Sequence, residues 1–131
     1  MEFTLKTSIK ATAKQIYKSW LSTQGHTKMT GGTAFVSDKI GDKYTLRDGY
    51  ITGENVELKP YYKIVQAWRS TNFEDSEADS QIEVILNEGD GETELTLIHT
   101  NVPDSGEHYK KGWEEHYFEP MKKYFEILNK N

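Results

Sequence analysis

The 131 residues include no cysteine and carry a formal net charge of −5, which excludes disulfides and thiolate zinc sites and points to a reducing, cytoplasmic setting. The length suits one domain over residues 1–131, with a core large enough to need no covalent staple. The first ten residues lack the apolar centre of a signal peptide, no apolar run approaches the roughly 18 residues that span a bilayer, and no Lys/Arg cluster is dense enough to track phosphates; the sequence thus argues against a membrane span and against nucleic-acid binding.

Phe3, Leu5 and Ile9 alternate with Thr4, Lys6, Ser8 and Lys10, the pattern of a strand with one wet face. Thr12-Ala13-Lys14-Gln15 then has the form of a capping box, and Ala13, Ile16, Tyr17 and Trp20 give the helix that follows a buried face. A second short helix is expected after Ser22, stopping at Gly31-Gly32, where glycine tolerates positive φ. From Thr33 to Val102 the chain changes to short strand-like runs: 33–37, 42–47, 50–58, 63–70, 81–87 and 92–101. Asp48-Gly49, Lys59-Pro60 and Asp90-Gly91 supply tight turns between them. Such short links join antiparallel neighbours, so a meandering sheet is expected. Ile82, Val84 and Leu86, like Leu95, Leu97 and His99, place one apolar face on it. On the 63–70 strand the pattern leaves open which face is interior, since Tyr62, Ile64, Gln66 and Trp68 compete with Val65 and Ala67.

The last segment is the longest. From Ser105 a helix of roughly 24 residues, about 35 Å, is expected, with Trp113, Tyr117, Met121, Tyr124 and Leu128 recurring along one face and Phe118 and Phe125 beside them. Glu114, Glu115, Lys122 and Lys123 fall largely on the other side. Pro120 has no N–H and would crowd the His116 carbonyl, which predicts a bend near Glu119. The simplest assembly is α+β: a curved antiparallel sheet wrapped around this helix, with two short helices after the first strand closing one end.

The residues that carry chemistry are sparse. Of the four histidines, His108 and His116 are eight apart, about 12 Å along a helix, too far to share a metal ion unaided. His26 shows no motif. His99 continues the apolar Leu95/Leu97 face, where a core histidine bonded to a backbone carbonyl competes with a proton-transfer role. Glu74, Asp75, Glu77 and Asp79 form a polar run, read as a mobile, solvated loop, without the central glycine of a calcium loop. Phosphate-loop and nucleophile-elbow patterns are missing. Neither a metal, a cofactor nor a catalytic constellation is expected. Charge is uneven: residues 1–71 hold nine Lys and two Arg against six acids, a net +5, while 72–131 hold five Lys against fifteen acids, a net −10. Such a two-sided surface can steer toward a complementary partner.

Several stretches in this order resemble the AHSA1 family, the domain similar to the C-terminal half of the activator of Hsp90 ATPase, within the START-like (SRPBCC, Bet v 1-like) superfamily. They are Met29 to Phe35 (MTGGTAF), Gly41 to Pro60, Ile64 to Arg69 (IVQAWR), Gly91 to Pro103, and Gly112 to Phe125 with its opening Gly-Trp. The resemblance implies a helix-grip fold. Pro120 stands where the co-chaperone's helix has a glycine, and the separate N-terminal domain that provides much of the chaperone contact in the eukaryotic co-chaperone has no counterpart in these residues.

Three functions follow as expectations. The first is a non-enzymatic, monomeric domain holding a small apolar or aromatic ligand between the last helix and the sheet, lined by Trp113, Tyr117 and Met121 on the helix side and by Val84, Leu97 and His99 on the sheet side. A cavity above about 300 Å³ would favour it and a filled interior would not. The second is an interaction module for an Hsp90-type chaperone, acting through its charged surface. The third is an aromatase/cyclase-like enzyme, which needs His99 or a tyrosine to move protons.

Overall fold

The fold was analysed in a computed structural model, which describes residues 1–130. Strand β1 (Phe3–Ile9) leads into helices α1 (Ala13–Trp20) and α2 (Thr23–Thr30). Strands β2 (Ala34–Phe35), β3 (Lys43–Leu46), β4 (Ile51–Lys59), β5 (Lys63–Ser70), β6 (Ser80–Gly89) and β7 (Glu92–Thr100) follow. All pair antiparallel in the order β1-β7-β6-β5-β4-β3-β2, a meander whose last strand is flanked by the first. The result is the α+β helix-grip fold, a curved sheet holding a C-terminal helix.

Local chemistry accounts for the element boundaries. The capping box forms in full: the Gln15 N–H donates to Thr12 Oγ1 at 3.1 Å and the Thr12 N–H to Gln15 Oε1 at 3.0 Å. Ser22 caps α2 by accepting from the Gly25 N–H at 3.2 Å, and Gly31 ends it at φ 78°. Asp90 and Gly91 take φ 31° and 84° in a two-residue turn closed by the Gly89–Glu92 pair. At the β3–β4 link the left-handed run is longer, with Arg47, Asp48 and Gly49 at φ 53°, 58° and 86°.

The register sets the interior face. Across neighbouring strands Ile64 pairs with Val84, Val84 with Leu97 and Leu97 with Leu5, while Gln66 pairs with Ile82, Ile82 with His99 and His99 with Phe3. These two adjacent rows face the helix, so Ile64, Gln66, Trp68 and Ser70 are the interior residues of β5. Val65 is buried as well.

The C-terminal segment departs from a straight helix at two places. It starts with a 3-10 turn at Asp104–His108, where Gly106 has non-helical dihedrals, and becomes α-helical only at α3 (Tyr109–Trp113). A π turn at Glu114–Phe118 then separates α3 from α4 (Glu119–Leu128). Pro120 explains its position. Proline has no N–H to return to the preceding turn, and the wider turn hands the Glu119 N–H to the Glu114 carbonyl five residues back. One extra residue in the turn rotates everything after it by about 100°. The buried stripe is therefore Tyr109, Trp113, Tyr117, Met121 and Phe125, a four-residue spacing that an uninterrupted α-helix would wind off its face, whereas Tyr124 is only half-buried and Leu128 is exposed.

The acidic run between β5 and β6 is tied back by Arg69, whose guanidinium donates to the Glu77 carbonyl at 2.6 Å, the Glu74 carbonyl at 2.8 Å and Asp79 Oδ1 at 3.2 Å. It also lies over the ring of buried Phe73. The Trp-Arg pair thus divides its work: Trp68 enters the core and Arg69 organises the loop.

Candidate functional site

The sheet rows and the helical stripe bring Val84, Leu97, His99, Trp113, Tyr117 and Met121 into one continuous core, all six buried. His99 is fully enclosed, and its partners fix its tautomer. An indole N–H can only donate, so Trp113 Nε1 gives its hydrogen to His99 Nδ1 at 3.2 Å and the ring must carry its own hydrogen on Nε2. That hydrogen goes to Ser80 Oγ at 2.8 Å, and Ser80 in turn donates to the Trp68 carbonyl at 2.6 Å. Burial pushes the His99 pKa down to about 3. This is a neutral imidazole with both nitrogens occupied, reaching a backbone carbonyl through a serine.

A second polar chain crosses the other end of the core. His26 Nδ1 donates to the Trp20 carbonyl at 2.8 Å, which leaves Nε2 to accept from the Tyr117 hydroxyl at 2.7 Å. Burial lowers the His26 pKa to about 4, against a smaller opposing effect of its bond to the Trp20 carbonyl, and burial raises that of Tyr117. Trp20 also donates through Nε1 to Gln66 Oε1 at 3.2 Å, Gln66 Nε2 donates to Asn55 Oδ1 at 2.8 Å, and Asn55 Nδ2 donates to the Ser37 and Lys39 carbonyls at 3.0 and 2.9 Å. The chain couples α1, β5, β4 and the β2–β3 loop while meeting the demand that buried polar groups be paired.

Around these chains the rings are close-packed. Trp20 stacks on Trp113 at 6.4 Å between centroids, and Trp113 lies 4.8 Å from Tyr117 and 5.9 Å from Trp68. Beside the Trp68–Trp113–Tyr117 rings a cleft of about 230 Å³ opens between the β3–β4 turn and the first turns of the long helix, and a shallower groove lies at the other end of the sheet between the start of α1 and the β6–β7 turn. Of the six predicted residues, Trp113 and Tyr117 line it, while Val84, Leu97, His99 and Met121 sit elsewhere in the core. Arg47, Tyr50 and Gly112 also line it.

His26, Gln66 and Asn55 carry structural roles that sequence reasoning did not assign. A polar residue among the apolar positions of β5 was the visible trace of Gln66. Nothing near His26 announced burial, because its partner Tyr117 is 91 residues away. No group of three or more His, Asp or Glu among the described residues is arranged to hold a metal ion, and no helix among them is long and apolar enough to cross a membrane.

Comparison with known proteins gives a consistent answer. The family model described as "Activator of Hsp90 ATPase homolog 1-like protein" matches residues 10–126. The chain is 31% identical over 121 residues to the mouse activator of 90 kDa heat shock protein ATPase homolog 2, covering 92% of this chain and 36% of that protein. It is 26% identical over 125 residues to the human homolog 1, covering 95% of this chain and 37% of that protein. It thus spans a little over a third of the length of these curated relatives. Among solved structures, PFC0360w from Plasmodium falciparum, described as an HSP90 activator, superposes with a TM-score of 0.85 at 23% identity over 98% of this chain and 95% of that one. With the family match covering nearly all of the folded elements, the chain belongs to the family of activator of Hsp90 ATPase homolog 1-like proteins.

Proposed function

We propose that this chain is a non-enzymatic interaction domain that engages an Hsp90-type chaperone through its outer surface and raises the chaperone's ATP turnover. The observation that carries the reading is the family match together with curated relatives, aligned over more than nine-tenths of this chain, that are named for activating this ATPase. The filled interior supports it from the other side. His99 has both nitrogens engaged and Val84, Leu97 and Met121 have no exposed surface, so the centre of the domain offers neither a vacant binding volume nor a free proton carrier. What remains available is the surface, where the β6–β7 hairpin presents Asp90, Glu92 and Glu94 and α1 presents Lys14 and Lys18.

Contacts made by exposed charges weaken when salt screens them. Adding the protein to its cognate chaperone at low ionic strength is expected to raise ATP hydrolysis about twofold or more, with the gain shrinking steadily as added salt brings the Debye length below about 10 Å. Unchanged turnover at low salt, with no complex by sedimentation or calorimetry, would sink the proposal.

A further inference from the structure

We infer that the outer side of α1 and the β4–β5 turn form a docking surface for an acidic protein segment that carries one large apolar side chain. The lysines come first. Lys10 precedes α1, Lys14 and Lys18 lie one turn apart on its exposed side, and Lys59 opens the β4–β5 turn, all four exposed. Lys63, Lys110, Lys111 and Lys122 each face a carboxylate, but none of these four has one within ion-pair distance among the described residues. The turn brings the apolar part. Tyr61 stands edge-on to Tyr17 of α1 at 5.6 Å between centroids, and Lys14 Nζ lies 5.8 Å from the centre of the Tyr61 ring. The lysine row and the ring are therefore one surface. Tyr61 remains 43% exposed, and Tyr62 after it 52%.

The backbone holds Tyr61 there under strain. The Tyr62 N–H donates to the Lys59 carbonyl at 3.0 Å, closing a four-residue turn with Pro60 second and Tyr61 third. Tyr61 takes φ 66°, a left-handed value at which such a turn ordinarily places glycine or asparagine. Arg47, Asp48, Asp90 and Asn101 also have positive φ, but Tyr61 is the one aromatic residue among them, and in a bulky residue this conformation is uncommon and marks a site worth a function. Packing on Tyr17 does not account for it in full, since so much of the residue stays in water. A positioned, exposed ring beside unpaired ammonium groups has the form of an interface anchor.

The flanks decide which polyanion fits. At the start of α1 the β6–β7 hairpin lies close enough for Glu88 to accept from the Ala13 N–H at 2.7 Å, and it exposes Asp90 and Glu92 beside the shallow groove that Lys10 and Gln15 also line. Those acids repel a broad anionic surface such as a bilayer or a nucleic-acid backbone, whereas a short acidic segment passes beside them. Lysine supplies charge without a fixed fork, so the tyrosines set the position. The inference rests on the chaperone reading for which protein carries the segment, and on the surface itself for the chemistry of that segment.

The test titrates two synthetic peptides into the nitrogen-15-labelled protein at low salt: a run of Asp and Glu with one central Trp, and the same run with Ala in its place. The Trp peptide should give saturable shifts over residues 13–18 and 59–62 and bind about tenfold more tightly than the Ala peptide, as expected for one aromatic contact. Lys14→Glu combined with Lys59→Glu should weaken both peptides about tenfold or more, with folding preserved because an acid suits the first turn of α1. Tyr61→Asn, which accepts the φ of the turn, should keep a dispersed, folded spectrum and erase the preference for Trp. Titrating the cognate chaperone instead separates the two readings. A chaperone that leaves the spectrum and its own turnover unchanged, while the Trp peptide binds at this face, defeats the chaperone reading alone. Equal affinity for the two peptides, shifts that do not saturate or fall on another face, or tighter binding to phosphatidylglycerol vesicles than to the Trp peptide would each overturn the inference. So would stimulation of the chaperone that survives both lysine reversals.

Discussion

Lowering the pH from 7 to about 4.5 should remove on the order of 5 kcal/mol of folding stability through two histidines alone. His26 and His99 are neutral and enclosed, with folded pKa values of about 4 and about 3 against an ordinary 6.5. In the unfolded chain they take up protons as pH falls below 6.5, whereas in the folded protein they do not. Stability from these groups is therefore complete above the unfolded pKa and is lost as pH falls toward the folded values. Each contributes about 1.4 kcal/mol per pH unit in that window, a large share of the 5–15 kcal/mol typical of a domain. Neither ring has a carboxylate among its hydrogen-bond partners that would reverse the sign. Urea unfolding at a series of pH values checks this. Between about pH 6 and 4.5 the wild-type slope should exceed that of His99→Asn by about 1.4 kcal/mol per unit. Equal slopes, or a folded-state His99 titration near 6.5 by NMR, would contradict it.

Gly53→Ala should be nearly as damaging, at about 4 kcal/mol. Gly53 pairs with Tyr44 on one side and Trp68 on the other. The Tyr44 ring lies across the glycine so that its hydroxyl reaches the Ala67 carbonyl at 2.6 Å, spanning three strands. A Cβ at this position would stand 1.9 Å from the Ala67 carbonyl oxygen and 2.5 Å from the Tyr44 ring. A side chain could swing aside, but a ladder carbonyl cannot without breaking the β4–β5 pairing. Adding Tyr44→Ala should therefore fail to rescue Gly53→Ala, a distinction read from the two urea midpoints. A single variant within about 1 kcal/mol of wild type would show that the sheet yields more easily than its register suggests.

Where a structure is dictated by neighbouring residues, the sequence announces it. Thr12 and Gln15 close their capping box, Gly31 takes the left-handed end of α2, Asp90-Gly91 makes its turn, and the alternation of Val84, Leu97 and His99 gives the interior face. The family resemblance rests on the same local stretches. What could not be read was set by distant contacts. Pro120 signalled a disturbance, but whether the helix would bend or widen depended on keeping Tyr109, Trp113, Tyr117 and Met121 on one sheet, and the π turn does that. The same phase shift puts Phe125 inside and Leu128 outside. The acidic loop looked like free chain because Arg69, which gathers it, belongs to a strand. Gly53 looked like an ordinary strand residue, for its demand comes from Ala67 and Tyr44. As for the site, the six interior residues are neighbours as the periodicity implied. The cleft beside Trp113 and Tyr117 opens toward Arg47 and Gly112, which no apolar pattern marks.

The proposed function has this domain acting from its surface with its interior closed. Titrating the cognate chaperone into protein labelled at Ile, Leu, Val and Met methyls, at low salt, tests it most directly. Exposed reporters exist at Ile40, Val56, Ile127 and Leu128, and closed ones at Val84, Leu97 and Met121. A contiguous set of exposed signals should be perturbed while the three interior methyls keep their positions. Movement of the interior methyls, or a spectrum that does not change at all, would contradict it.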